Sequence, residues 1–285
     1  MGAAGAALGL PVLSRRSSAV SANDRIVVAH VGVGGMGRQH VGWFASLEDV
    51  ETAAVCDVNL ANAHTALEHL KAARPDTKAV VEQDFRRLLD RSDIDVITCA
   101  TPDHWHALVA ILAFQSGKHV YGEKPLSYDI AESQAMLKAC RRYQRVFQLG
   151  TQIHSGENYH RVVELLRAGV IGDVKHVLMW KTGDGLGNQF VPDGQAPPDF
   201  NWDLWLGPAP EREYGNGYLP FNWRGWYDYG TGALGDMACH TANMPFRALK
   251  LGYPTSVIAE AVDGANSQTY PNKSRIKFEF PEREG

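Results

Sequence analysis

The sequence predicts an α/β protein whose first half is a doubly wound parallel sheet and whose second half follows a different plan. Three observations carry this. Between Arg25 and Gly150, short and nearly continuous apolar runs alternate with helical stretches, the pattern of a parallel sheet covered on both faces. A glycine-rich turn, Gly32-Val33-Gly34-Gly35-Met36-Gly37, follows the first apolar run. After Gly150 the alternation stops, and a long segment rich in Gly, Pro, Asn and aromatic residues appears.

Taken in order, strands are expected at 26–31, 52–56, 96–100, 119–121 and 146–149, with helices at 37–46, 60–73, 85–89, 106–115 and 130–143. Within the second helix Ala63, Leu67 and Leu70 recur at three- and four-residue spacing and so share one face. Beyond Gly150 the pattern predicts a helix at 159–168, a strand at 174–180 and a loop from 182 to about 229. Loops of that length are generally functional or disordered. The concentration of Trp202, Trp205, Trp223 and Trp226 here points to a packed loop that covers a ligand. A helix at 234–251 and strands at 256–262 and 274–280 follow.

Composition narrows the class. At 285 residues the chain can hold two cores, giving expected divisions of 1–22, 23–150 and 151–285. A net charge of −4 with no Lys/Arg block argues against a nucleic-acid partner. The four cysteines, Cys56, Cys99, Cys140 and Cys239, form no CxxC pair and read as reduced thiols. Residues 1–22 combine a small apolar stretch with a polar end, Val20-Ser21-Ala22, like an export signal cut after Ala22. They lack its basic start, so the segment is either a signal whose beginning is missing or a disordered tail; an exported, periplasmic location is favoured over a cytoplasmic one. The apolar stretch is shorter than the about 20 residues that a spanning helix needs, so no membrane association is expected. Residues 281–285 follow directly on a strand, so the chain is expected to be a fragment with an incomplete second domain.

The chemistry-bearing motifs fall at strand ends. Gly32 permits the tight turn, Gly34 lets backbone approach a pyrophosphate, and Gly37 lets the helix pack on the strand, with Met36 inside the turn. N–H groups at the helix start then meet the phosphates. Asp57 lies about 20 residues further on, where a carboxylate accepts from ribose hydroxyls and repels a 2′-phosphate. The cofactor expected is therefore NAD. Thr101-Pro102-Asp103-His104 follows the strand at 96–100; His104 is expected to border the cofactor and His106 to pack. Two histidines without a third ligand do not make a metal site, so none is expected. Glu123-Lys124-Pro125 ends the next strand, where a lysine can meet a substrate hydroxyl; alone it reads as a solvated lysine in a turn. Asp236 and His240 stand four apart on one helical face, as an oriented acid–imidazole pair or a surface salt bridge. The glycines before them, Gly230, Gly232 and Gly235, suggest backbone close to a ligand.

These motifs together resemble the Gfo/Idh/MocA (glucose–fructose oxidoreductase, inositol dehydrogenase, rhizopine catabolism) family. GVGGMG at 32–37, Thr101-Pro102-Asp103-His104 with His106, Glu123-Lys124-Pro125 and the G-A-L-G-D-x-x-x-H stretch ending at His240 match it in order and spacing. Trp202-Asp203-Leu204-Trp205-Leu206-Gly207-Pro208 and Asn222-Trp223-Arg224-Gly225-Trp226 resemble a subgroup of exported carbohydrate-degrading bacterial members. The resemblance implies a Rossmann domain, then an α+β domain on an open, mostly antiparallel sheet that carries the sugar site and often an oligomer interface. It implies Lys124 and His240 around the reacting hydroxyl with Asp236 in support, and Glu123 with the glycine turn, Asp57, Thr101, Pro102 and His104 around NAD. Gln152, His154 and Arg224 are further candidates for substrate contact.

The leading functional expectation is hydride transfer between NAD(H) and a sugar, polyol or related carbohydrate. The alternatives are an NAD-dependent glycosidase that oxidises a ring carbon transiently and eliminates the aglycone, and a cofactor-binding sensor without turnover. Retention of Lys124, Asp236 and His240 argues against the sensor, which needs none of them.

Overall fold

The computed structural model describes residues 24–181, 194–215 and 217–282; the signal-like segment lies outside them. Strands β1 (Ile26–Val31), β2 (Val50–Cys56), β3 (Val80–Glu82), β4 (Val96–Cys99), β5 (His119–Glu123) and β6 (Phe147–Gly150) form one parallel sheet in the order β3-β2-β1-β4-β5-β6. Helices α1 (Met36–Ala45), α2 (Leu60–Ala73), α3 (Arg86–Leu89), α4 (Asp103–Gln115) and α5 (Ile130–Arg142) connect them. The sheet is covered on both faces. Val41 and Ala45 of α1 and Ala63, Ala66 and Leu70 of α2 pack with Val55, while Val109, Ala113 and Phe114 of α4 and Met136 of α5 pack with Ala29, Ile97 and Val120. The order reverses between β1 and β4, and the crevice at the carboxyl ends of those strands is where doubly wound sheets bind ligands.

Local chemistry sets the helix starts. Asn59 caps α2 by accepting from the Ala61 N–H at 3.1 Å, and Asp129 caps α5 by accepting from Glu132 at 2.7 Å. Glu132 accepts in turn from the N–H of Tyr128, the residue before the cap, at 3.0 Å. The first-half elements lie within a few residues of their expected positions, except that the three-residue β3 was missed.

Beyond the sheet lie α6 (Glu157–Arg167), α7 (Trp202–Leu206), α8 (Gly232–Thr241), α9 (Asn243–Leu249) and an antiparallel hairpin of β7 (Ser256–Asp263) and β8 (Lys273–Glu279). Two expectations are corrected here. Residues 174–180 form no strand: the run is apolar but does not alternate with period two, and among the described residues the antiparallel sheet consists of β7 and β8. The single helix expected at 234–251 is two, because Pro245 has no N–H to give and its ring opposes the carbonyl of Thr241 four residues earlier. Among the described residues no helix is long and apolar enough to cross a membrane.

The described part of the long loop is packed. Phe200, Trp205, Leu206, Tyr214, Tyr218, Trp223, Trp226 and Tyr229 form a buried cluster in which Trp202 stacks on Trp205 at 4.8 Å. The cluster is fastened to the parallel-sheet domain through backbone bonds from Leu60 to Asp199 and from Asn201 to Val58, each 2.9 Å.

Candidate active site

The glycine turn sits against the end of β4. Gly32 has φ +78°, and a Cβ there would lie 2.8 Å from the backbone of Ala100 and Thr101; a Cβ on Gly37 would lie 1.8 Å from the Gly32 carbonyl oxygen. The first and third glycines are thus required by the fold itself. A Cβ on Gly34 would come to 3.1 Å from Asn62 Nδ2, and one on Gly35 would meet nothing within 4 Å. Asp57 ties this turn to the next: its Oδ2 accepts from the Val33 N–H at 2.9 Å and its Oδ1 from the Asn59 N–H at 2.9 Å. Burial pushes the Asp57 carboxyl up, against the lowering effect of these N–H donors. Asn62 Nδ2 also donates to Oδ1, at 3.5 Å; a carboxylate has about four lone-pair directions, so room for a ribose hydroxyl remains. The opening of α1, whose first N–H groups have no intrahelical acceptor, the open side at Gly35 and the Asp57 carboxylate fit a dinucleotide.

The turns after β4 and β5 are held together by His106, buried in the first turn of α4. Its Nδ1 lies 2.7 Å from Pro125 O and its Nε2 3.0 Å from Thr101 O. Glu123, the last residue of β5, is buried with one carboxylate oxygen 2.9 Å from His40 Nε2 and the other accepting from the Lys124 N–H at 3.3 Å. His40 is fully buried on α1, so the helix that opens at the glycine turn is bonded directly to the strand end that carries Lys124. Nothing in the sequence pointed to His40 beyond its place on the inner face of an amphipathic helix.

Lys124 reaches across to α8. Its Nζ donates to Asp236 Oδ1 at 2.5 Å and to the Asp236 carbonyl at 3.1 Å. Burial would push the Asp236 carboxyl up, but the Lys124 hydrogen bond and the charges of Lys124 and Arg224 outweigh it and hold the group below its ordinary value. His240, one turn further along α8, is half-buried, and its Nδ1 has no hydrogen-bond partner among the described residues. Burial and then the nearby Lys124 charge push the imidazole down, against Asp236 and Glu123. These influences favour the neutral imidazole of His240 beside the Lys124–Asp236 ion pair.

The remaining candidates are distributed more widely. His104 turns into the aromatic cluster, its ring nitrogens 3.2 Å from Tyr229 O and 3.1 Å from Trp205 O. Burial pushes it down to about 4, so the ring is neutral and spent on holding the loop. Arg224 donates from Nε to Asp236 Oδ1 at 3.3 Å. Gln152 and His154 lie in the 3₁₀ turn Gln152–Ser155, exposed, with His154 Nδ1 beside Asn243 of α9 at 3.2–3.3 Å. The glycines leading into α8 are explained by protein rather than ligand: a Cβ on Gly232 would strike the Tyr270 ring at 2.6 Å, and one on Gly235 the Thr231 side chain at 2.4 Å. Thr231 in turn donates to the buried Asp103 carboxylate at 2.8 Å.

Residues 26–151 match the model of an oxidoreductase family with an NAD-binding Rossmann fold (GFO/IDH/MocA), and residues 168–269 match that of its C-terminal alpha/beta domain. Similar curated proteins include a glycosyl hydrolase family 109 protein of Shewanella sp. strain ANA-3, 36% identical over 54% of this chain and 34% of that protein. An alpha-N-acetylgalactosaminidase of Shewanella oneidensis is 35% identical over 52% of this chain and 33% of that one. The chain covers about a third of the length of these relatives. Among solved structures, a myo-inositol dehydrogenase of Lactobacillus casei in complex with NAD(H) and myo-inositol is 25% identical with a TM-score of 0.47, covering 52% of this chain and 43% of that one.

Proposed function

Because the chain belongs to the Gfo/Idh/MocA family of oxidoreductases, with an NAD-binding Rossmann domain, we propose that it transfers a hydride between NAD(H) and a hydroxyl-bearing or keto carbon of a sugar, polyol or related carbohydrate. The observation that supports the reading is the Lys124–Asp236 ion pair beyond the carboxyl end of β5, with His240 one turn further along α8 and under the influence of both charges. The bound nicotinamide supplies the hydride chemistry. The chain supplies position and proton transfer. In the oxidative direction the neutral His240 ring takes the hydroxyl proton, while a Lys124 N–H bonds the same oxygen as negative charge grows on it. Asp236 balances the lysine. In reduction the proton travels back from His240.

The relatives' names favour a second reading, a glycosidase that uses NAD without consuming it. In it a bound NAD would hold the hydride of a ring carbon while the same groups take the hydroxyl proton; the neighbouring C–H proton and the aglycone are lost, water adds across the resulting double bond, and the hydride and proton are returned to the ring. Incubation of the protein with NAD and a panel of sugars, polyols and aryl glycosides separates the two. Accumulating NADH with an alcohol supports the dehydrogenase; released aglycone with no net NADH supports the glycosidase. Neither product with any compound overturns both.

A further inference from the structure

Asp236 carries more cations than its neutralisation requires. It is 6% exposed, and its Oδ1 accepts from Lys124 Nζ at 2.5 Å and from Arg224 Nε at 3.3 Å. The two cations come from different parts of the chain, Lys124 from the end of β5 and Arg224 from the 3₁₀ turn Asn222–Gly225. The other titratable groups whose charges act on this carboxylate's surroundings are Asp103 of α4 and Cys239 and His240 of α8.

Arg224 is fixed from several sides. Its guanidinium carbon lies 4.1 Å from the Phe221 ring centroid and 4.2 Å from that of Trp223, and its Nη1 donates to Phe221 O at 3.3 Å. Gly230 presses on its main chain so closely that a Cβ there would lie 2.5 Å from Arg224 Cα. Such stacking restricts a long side chain that would otherwise sample many rotamers. What it presents to Asp236 is a held N–H.

One cation neutralises one carboxylate; a second matters if the first is called away. In the proposed reaction Lys124 turns an N–H to the substrate oxygen, and a buried carboxylate left without a partner at that moment is strongly unfavourable. We infer that Arg224 is a positioning residue that takes over Asp236 while Lys124 serves the substrate, so that the lysine can exchange partners without stranding the acid. This rests on the proposed role of Lys124, and it gives Arg224 a place at the Asp236 carboxylate, on the same Oδ1 that Lys124 bonds, in place of the substrate contact expected of it.

The test is a double-variant cycle read in two ways. First, the Asp236 carboxyl is followed by ¹³C NMR across pH in the ligand-free protein, for the unaltered chain, Lys124→Met, Arg224→Met and the pair. If Arg224 takes over, Asp236 still titrates low in Lys124→Met and moves upward when Arg224 is also removed. Identical titration in Lys124→Met with and without Arg224→Met overturns the inference. Second, with whichever carbohydrate the unaltered protein turns over, Arg224→Met should lower kcat on the order of 10²-fold with KM little changed, and Arg224→Lys should recover part of it. A raised KM at unchanged kcat would make Arg224 a substrate contact and overturn the inference. Should Arg224→Met fail to fold, Arg224→Gln keeps an N–H donor while removing the charge and takes its place in both arms. Absence of any turnover by the unaltered protein would count against the proposed function, while the carboxyl titration still decides the role of Arg224.

Discussion

Lys124 and Asp236 are joined at 2.5 Å across 112 residues of sequence, tying the end of β5 to the helix that bears His240. Both side chains are largely buried, at 13% and 9% exposure, and removing one partner from such a pair leaves an uncompensated charge. Asp236→Asn should therefore lower stability by roughly 3 kcal/mol, read from chemical denaturation. An unchanged midpoint would mean that solvent already screens the contact.

The glycines of the 32–37 turn should separate into two kinds. Gly37→Ala places a methyl group 1.8 Å from a carbonyl oxygen and should prevent correct folding of the domain. Gly34→Val should leave the far-ultraviolet dichroism intact and abolish NADH binding in a calorimetric titration. Retained affinity in Gly34→Val would reduce the turn to a purely structural element.

Coenzyme choice should rest on Asp57. Two of its acceptor directions hold Val33 and Asn59, and its charge repels a 2′-phosphate, so NAD should bind more tightly than NADP. Asp57→Ser should narrow or reverse that preference. Equal affinity of the unaltered protein for the two coenzymes would remove the assignment.

Two buried histidines should make stability depend on acid. Burial, with a lesser effect of His40, pushes His30 down from 6.5 to about 3, and burial pushes His104 from 6.5 to about 4. The unfolded chain then binds protons that the folded chain refuses. Their contribution is whole above about pH 6.5 and is lost as pH falls toward 4, at about 1.4 kcal/mol per pH unit for each histidine. Asp57 and Asp103, raised by burial, act oppositely, costing stability as pH rises through their range. Denaturation midpoints of the unaltered protein and His104→Gln between pH 4 and 7 isolate the term. The variant should show the shallower slope, and equal slopes would contradict it.

The division between what sequence reveals and what it hides follows from distance along the chain. The strands and helices of the first half were legible because their apolar periods and caps are local, as with Asn59 and α2. The glycine turn was legible because its strand, helix and Asp57 follow in order. His40 and Glu123 stand 83 residues apart, and only the completed sheet brings them together. Arg224 and Asp236 are 12 apart, yet their contact depends on how the aromatic loop packs. His104 looked like a ligand neighbour because it begins a helix at a strand end, where side chains face either the crevice or the covering loop; it faces the loop. The strand expected at 174–180 rested on an apolar run that does not alternate with period two, so the segment itself carries little of the pattern of a half-buried strand.

The central claim is that Lys124 and His240 handle the proton of one substrate oxygen, and turnover of single variants tests it most directly. With a carbohydrate that the unaltered protein converts, kcat is measured for Lys124→Ala and His240→Ala alongside the NADH dissociation constant of each. The account predicts that both variants lose about 10²–10⁴-fold in turnover while binding NADH nearly as before. Turnover within a few-fold of the unaltered protein in either variant, with the cofactor still bound, would contradict it.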